Sequence, residues 1–467
     1  MNFAKAQAVW DRLGDWAEKR SRLVIWVGLA IAVLLPIPGY MDALVIPPNG
    51  VLIELSHKED IHNLYYAAAN ASWRDAPRWW VGSWIYPDVG YYRPLTSMLF
   101  LAEYRAFGRN FTAYNCVSLV LHLINVTLLY LLTISLFRVY KRTRVLLGLI
   151  AVYFFASQAN SMYFAVGRVL GWWPAQNDTM SLTFGLLCLL LLDRYLTYPK
   201  RGLLIGAIVS LFLSIASKEM GFITAPVALM LIAQRRMQGI GPWRAPVIGI
   251  TSLAAFMWFF RRMVVPNHWG PVMFRRLILE RMVLAWLGPP ALYARAGIIW
   301  PAFAGVAITI IVIVGLIKRW RATWIVLLSA AAALICAQFI GEDTSAIVLF
   351  FLPDQERLWS VLSYVLAGAL FIRYIKKEPA LFTGLSLWLV YLPILQYGGG
   401  KHYYYWPGAF NAIADAAFVV CLWRWSTELK TGVNWEVPRL MPWIKVTEPQ
   451  RQDDLTTGDT GSTGNGS

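Results

Sequence analysis

Apolar residues fall along this chain in long runs, each followed by a short polar and mostly basic stretch. A helix needs roughly 17–25 mostly apolar residues to cross a bilayer. On that measure the pattern predicts twelve spans. The first seven are Leu23–Tyr40, Ala113–Phe137, Val145–Val166, Thr179–Tyr195, Gly202–Ala216, Gly221–Ala233 and Ala245–Phe260. The other five are Ile299–Ile317, Thr323–Ile340, Leu358–Tyr374, Ala380–Tyr397 and Ala409–Trp425. The predicted fold class is therefore all-α, a polytopic membrane protein. Residues 1–22 precede the first run as an amphipathic helix with Lys5, Arg12, Lys19, Arg20 and Arg22, and no small-residue cleavage site follows it. Residues 23–425 form the transmembrane domain, and residues 426–467 form a polar tail ending TTGDTGSTGNGS, a composition that buries no core.

Basic residues set the expected orientation. FRVYKRTR (Phe137–Arg144), DRYLTYPKR (Asp193–Arg201), QRRMQGIGPWR (Gln234–Arg244), KRWR (Lys318–Arg321) and RYIKK (Arg373–Lys377) all fall on one side when the N-terminus is placed with them. The positive-inside rule makes that side cytoplasmic and puts both termini there. Leu277–Leu292 is apolar but holds Glu280, Arg281 and a Pro-Pro break, so it reads as an amphipathic or re-entrant segment on the outer side. The first outer loop, residues 41–112, is long, rich in Trp and Tyr, and expected to contain helices lying along the membrane.

Composition agrees with the pattern. Hydrophobic residues make up 58% of the chain and charged residues 15%, against about 25% charged in soluble domains. The net charge of +16 would point to nucleic acid in a soluble protein, but here cytoplasmic helix ends account for most of it, and no nucleic-acid partner is expected. The four cysteines lie in apolar runs, which argues against a disulfide framework or a metal cluster. Without disulfides or a signal peptide, the expected compartment is a bacterial inner membrane.

Five polar constellations then stand out, all on the outer side of this topology. Ser56–His62 (SHKEDIH) carries Glu59 and Asp60, adjacent carboxylates that can supply a general base near a bilayer. The flanking His57 and His62 leave a divalent metal beside Asp60 as a secondary option. In YYRPLTS, Pro94 marks a helix start with Arg93 at its N-terminal end, a place that suits a phosphate or a snorkelling arginine. Ser217-Lys218-Glu219 occupies a tight turn, where either a functional site or a local Lys–Glu pair capping two helix ends fits the spacing. Glu356 and Arg357 open a late span, and Asn177-Asp178 opens the fourth, where an N-cap is the commonest role. Asp415 lies inside the twelfth span without an evident role.

The stretch from Tyr91 to Leu132, YYRPLTSMLFLAEYRAFGRNFTAYNCVSLVLHLINVTLLYLL, resembles the segment after the first outer loop of the C-type (GT-C) glycosyltransferases. The similarity is to the protein O-mannosyltransferase-like branch that includes the transmembrane-and-tetratricopeptide mannosyltransferases. Asn177-Asp178, Ala216-Ser217-Lys218-Glu219 with Pro226, and Glu356-Arg357-Leu358-Trp359 resemble three further motifs of that branch in order. The resemblance implies a GT-C-like enzyme that moves a sugar from a polyprenyl-phosphate lipid to a protein or glycan acceptor, without a cofactor. It assigns Asp60, with Glu59 beside it, as the catalytic base or acceptor-positioning group. It assigns Arg93, Lys218 and Arg357 to the donor phosphate, oriented by Asp178, Glu219 and Glu356. Glu59-Asp60 stands where the family has two aspartates, Ser157-Gln158-Ala159-Asn160 replaces its third-span motif, and no tetratricopeptide tail follows. The alternative implied by these differences is a catalytically inactive scaffold subunit held by partners in a larger membrane complex.

Overall fold

The computed structural model describes residues 59–87, 90–140, 143–157, 169–265 and 405–431, with isolated positions elsewhere. It is all-helical, and no strand occurs among the described residues. Three described helices lie in the segment expected as the first outer loop: α1 (Glu59–Asn70), α2 (Ala76–Trp80) and α3 (Pro94–Phe107). Then come α4 (Phe111–Leu136), α5 (Arg144–Ser157), α6 (Gln176–Thr197), α7 (Arg201–Ser217), α8 (Thr224–Met237) and α9 (Arg244–Val264). The last described helix is α10 (Tyr405–Thr431).

Among the described residues four helices are long and apolar enough to cross a membrane: α4, α6 with the 3-10 turn before it, α9, and α10 as far as Trp425. The α5 and α7 helices are shorter but also apolar. At 1.5 Å per residue the 17 residues of α7 span about 26 Å, close to the ~30 Å of a hydrocarbon core. The expected spans Ile299–Ile317 and Thr323–Ile340, the segment Leu277–Leu292 and the tail beyond 431 lie outside the described residues. The expected first, tenth and eleventh spans are described only at isolated positions.

Helix α6 is the centre of the bundle. Its Leu182, Leu186, Leu189 and Leu192 are buried against neighbours on several sides. Small residues let those neighbours approach. Ser181 and Ser214 exchange hydroxyl-to-carbonyl bonds between α6 and α7, at 3.1 and 2.8 Å. Gly185 lies under the Trp406 ring of α10, where any Cβ would collide. Deeper in the bundle, the Tyr405 hydroxyl meets His122 Nδ1 at 2.8 Å and the Asn125 amide at 3.1 Å, tying α10 to α4. The outward face of α9 presents Ile248, Phe256, Phe259 and Met263, an apolar stripe that suits lipid rather than water.

Helices α1 to α3 have a second, aromatic core. Phe100, Tyr114 and Trp173 pack there with Tyr65, Trp79 and Trp84, and Tyr114 stacks on Trp173 at 4.7 Å. Glu103 is buried beside them and accepts hydrogen bonds from Trp173 Nε1 at 2.6 Å and Gln176 Nε2 at 2.8 Å. Burial pushes its carboxyl up to about 8, despite these two donors.

Candidate functional site

The site forms where five helix ends meet. Pro94 starts α3 because its missing N–H is one the first turn leaves unpaired anyway, and Arg93 becomes the N-cap residue. The Ser97 hydroxyl holds the Arg93 carbonyl at 2.9 Å, and the Thr96 hydroxyl donates to the Ser217 carbonyl at 2.6 Å. That second bond pins the start of α3 against the end of α7. There the chain leaves the helix at Lys218 in an extended conformation and turns through a 3-10 segment, Glu219–Ile223. Gly221 permits the turn, since a Cβ there would run into the backbone carbonyl of Ser214.

Lys218 and Glu219 do not pair with each other as a local cap. The Lys218 ammonium donates to Asp178 Oδ2 at 2.6 Å. Glu219 takes Arg93 Nε and Nη2 on one oxygen, at 2.9 and 2.5 Å, and Arg261 Nη2 on the other at 2.8 Å. Asp178 is not an N-cap either. It sits inside the first turn of α6, whose N-terminus favours its charge, and Ala175 is the cap residue. Its Oδ1 is buried without a hydrogen-bond partner among the described residues. All five side chains are buried.

Three cations thus face two carboxylates within one buried cluster. Burial pushes the Glu219 carboxyl up, but Arg93 and Arg261 outweigh it and bring the group down to about 2, so it stays ionised. Burial pulls the pKa of the Lys218 ammonium down, and Asp178 opposes that pull. Arg93 also stacks on Tyr91 at 3.9 Å and on Trp84 at 5.0 Å, contacts that favour the flat guanidinium over an ammonium.

Four of the eight singled-out residues, Arg93, Asp178, Lys218 and Glu219, are therefore brought together from three separate sequence motifs. Glu59 and Asp60 open α1, with only their helical backbone described. Glu356, Arg357 and His57 lie outside the described residues, and the His62 ring packs at a tilt against Tyr66, 4.5 Å between centroids. Arg261 is the member sequence reading missed. It resembles Arg262 as a basic residue at a span end, yet Arg262 is exposed over Trp258, whereas Arg261 continues the buried stripe Ile250–Met257 at a helical spacing of four.

A second buried ion pair lies at the opposite end of α6. Asp193 Oδ1 accepts from Arg235 Nε at 2.6 Å, and the Ser135 hydroxyl donates to Asp193 at 2.5 Å. Arg235 also bonds Gln238 and the Ser135 carbonyl, which leaves this pair enclosed by protein. No protein-family model matches the chain, and no curated protein or solved structure matches it.

Proposed function

We propose that this chain is a membrane glycosyltransferase that moves a sugar from a polyprenyl-phosphate donor to an acceptor on the outer face. The observation that carries the reading is the convergence of Arg93, Lys218 and Arg261 on Asp178 and Glu219 in one buried cluster. When a glycosyl phosphate departs, its oxygens gain negative charge. Fixed cations in a dry site stabilise that charge without having to reorganise. The two carboxylates keep the cations oriented at low desolvation cost until the phosphate arrives. In this reading Arg357 and Glu356 join the cluster, and Asp60, beside Glu59, takes the proton from the acceptor hydroxyl. No cofactor is needed, because the leaving phosphate already supplies the driving force.

The same reading gives the chain a twelve-span GT-C-like architecture in a bacterial inner membrane, with both termini cytoplasmic and the cluster periplasmic. It is supported by the placement of the basic segments after α4, α6 and α8, which follow the helix ends opposite the cluster.

A second reading is an inactive GT-C-like scaffold. It is favoured by the direct pairing of Arg93 with Glu219 and of Lys218 with Asp178, an arrangement that stands as a structural clamp without any ligand. One assay separates the two. Purified protein in bilayers is given radiolabelled polyprenyl-phosphate sugars with peptide and glycan acceptors. Label passing to an acceptor supports the transferase. Intact donor after long incubation, with the protein folded, supports the scaffold.

A further inference from the structure

A cleft of about 610 Å³ opens beside α1, separated from the charge cluster by Trp84, whose ring packs on Arg93. Its walls are one face of α1, with Asn63, Tyr66 and Asn70, and the stretch from Asp75 to Pro87. The volume falls in the range of small-molecule sites, roughly 300–1,000 Å³. Two side chains in the wall have unmet hydrogen-bonding capacity. The Trp84 indole N–H and the Ser83 hydroxyl are buried, and neither has a partner among the described residues. Both atoms lie beneath the cleft surface rather than on it, and Trp84 is only 5% exposed.

We propose that this cleft binds a neutral saccharide. A sugar ring offers an apolar C–H face and a rim of hydroxyls. Here Tyr66 and Tyr86 supply aromatic faces, while Asn63 and Asn70 supply donors and acceptors for the rim. The charged side chains in the lining, Asp75 and Arg78, are of opposite sign, and Asp75 is already held by the Ser72 backbone N–H at 2.8 Å. The cleft therefore favours no net charge, unlike the cationic cluster behind Trp84. A peptide adding as a strand finds no free edge, because the N–H groups of Trp84 and Ile85 already donate to the Tyr91 carbonyl and the Ser97 hydroxyl.

The inference does not need the transferase reading, since a scaffold subunit would keep the cleft. The test is isothermal calorimetry on the full chain in lipid nanodiscs without any lipid donor. The probes are mannotriose and chitotriose, with trigalacturonate and a capped Gly-Ser-Gly peptide as competitors in class. The expected result is saturable binding of at least one neutral trisaccharide. Tyr66→Ala, at a half-exposed position, and Asn63→Ala should each weaken it at least fivefold, whereas Tyr198→Ala, exposed beyond the far end of α6, should leave it unchanged. Binding of the charged sugar or the peptide alone overturns the proposal. So does no saturable binding by any probe, or neutral-sugar binding that ignores both cleft variants.

Discussion

The Lys218–Asp178 pair is the sharpest place to separate structure from chemistry. The two charged atoms lie 2.6 Å apart, with side chains 4% and 0% exposed. Removing one partner of such a pair leaves the other charge buried and costs about 3–5 kcal/mol. Lys218→Met strands Asp178, and Asp178→Asn strands Lys218. Burial already pulls the Lys218 ammonium towards losing its proton, so it can shed the charge when Asp178 is gone. Each single variant should cost about 3 kcal/mol or more. Replacing both removes the ions together and should return stability to within about 1 kcal/mol of the starting protein. The assay is unfolding in mixed detergent micelles, read as a double-mutant cycle, with sugar transfer measured on the same samples. The expected cycle has a coupling of about 5 kcal/mol or more, because two costs of about 3 kcal/mol each nearly vanish in the double variant, and that stable double variant transfers no sugar. Additive single costs would refute the pairing, and a double variant with normal turnover would refute the role of Lys218 at the phosphate.

Arg93→Lys keeps the charge but loses the two-pronged contact with Glu219 and the stacking on Tyr91, so transfer should fall about 100-fold or more in initial-rate assays. Asp60→Asn should abolish transfer by removing the base while the unfolding midpoint stays put; near-normal turnover would sink its assignment. Glu103 titrates near 8 when folded, above its ordinary 4.5, so its stabilising contribution is whole below about pH 4.5 and is lost as pH rises through 8. Thermal unfolding from pH 5 to 8.5 should show that decline, and Glu103→Gln should flatten it. Gly221→Ala should destabilise the protein by about 1–3 kcal/mol, because the new methyl strikes the Ser214 carbonyl, and a neutral result in the unfolding assay would rule out that clash.

Helices with continuous apolar runs were legible in the sequence to within a few residues. The span expected at Ala113–Phe137 is α4 at Phe111–Leu136, and Gly202–Ala216 is α7 at Arg201–Ser217. Boundaries shifted where polar or aromatic side chains find distant partners. The last helix begins at Tyr405 rather than Ala409, because Tyr405 is bonded to His122 and Asn125, more than 270 residues away. The sixth span opens as a 3-10 turn before Thr224, and Pro226 falls in the first turn of α8, where its missing N–H costs little. The candidate residues were visible one motif at a time, but their partners were not. Lys218 has an acidic neighbour at 219, and sequence spacing favours that neighbour as readily as Asp178, forty residues back. Only packing of α6 against α7 decides between them. Arg261 was hidden for the same reason, since a helix-end arginine carries no local sign of the carboxylate it will meet.

The most direct test of the transferase reading is a density map of the purified full chain in native lipid, inspected at the cluster of Arg93, Lys218 and Arg261. The account predicts a lipid phosphate in contact with at least two of these cations, Asp178 and Glu219 holding them from behind. A map with no phosphate on any of these cations, or with a partner subunit plugging the cluster, would contradict it and leave a scaffold in its place.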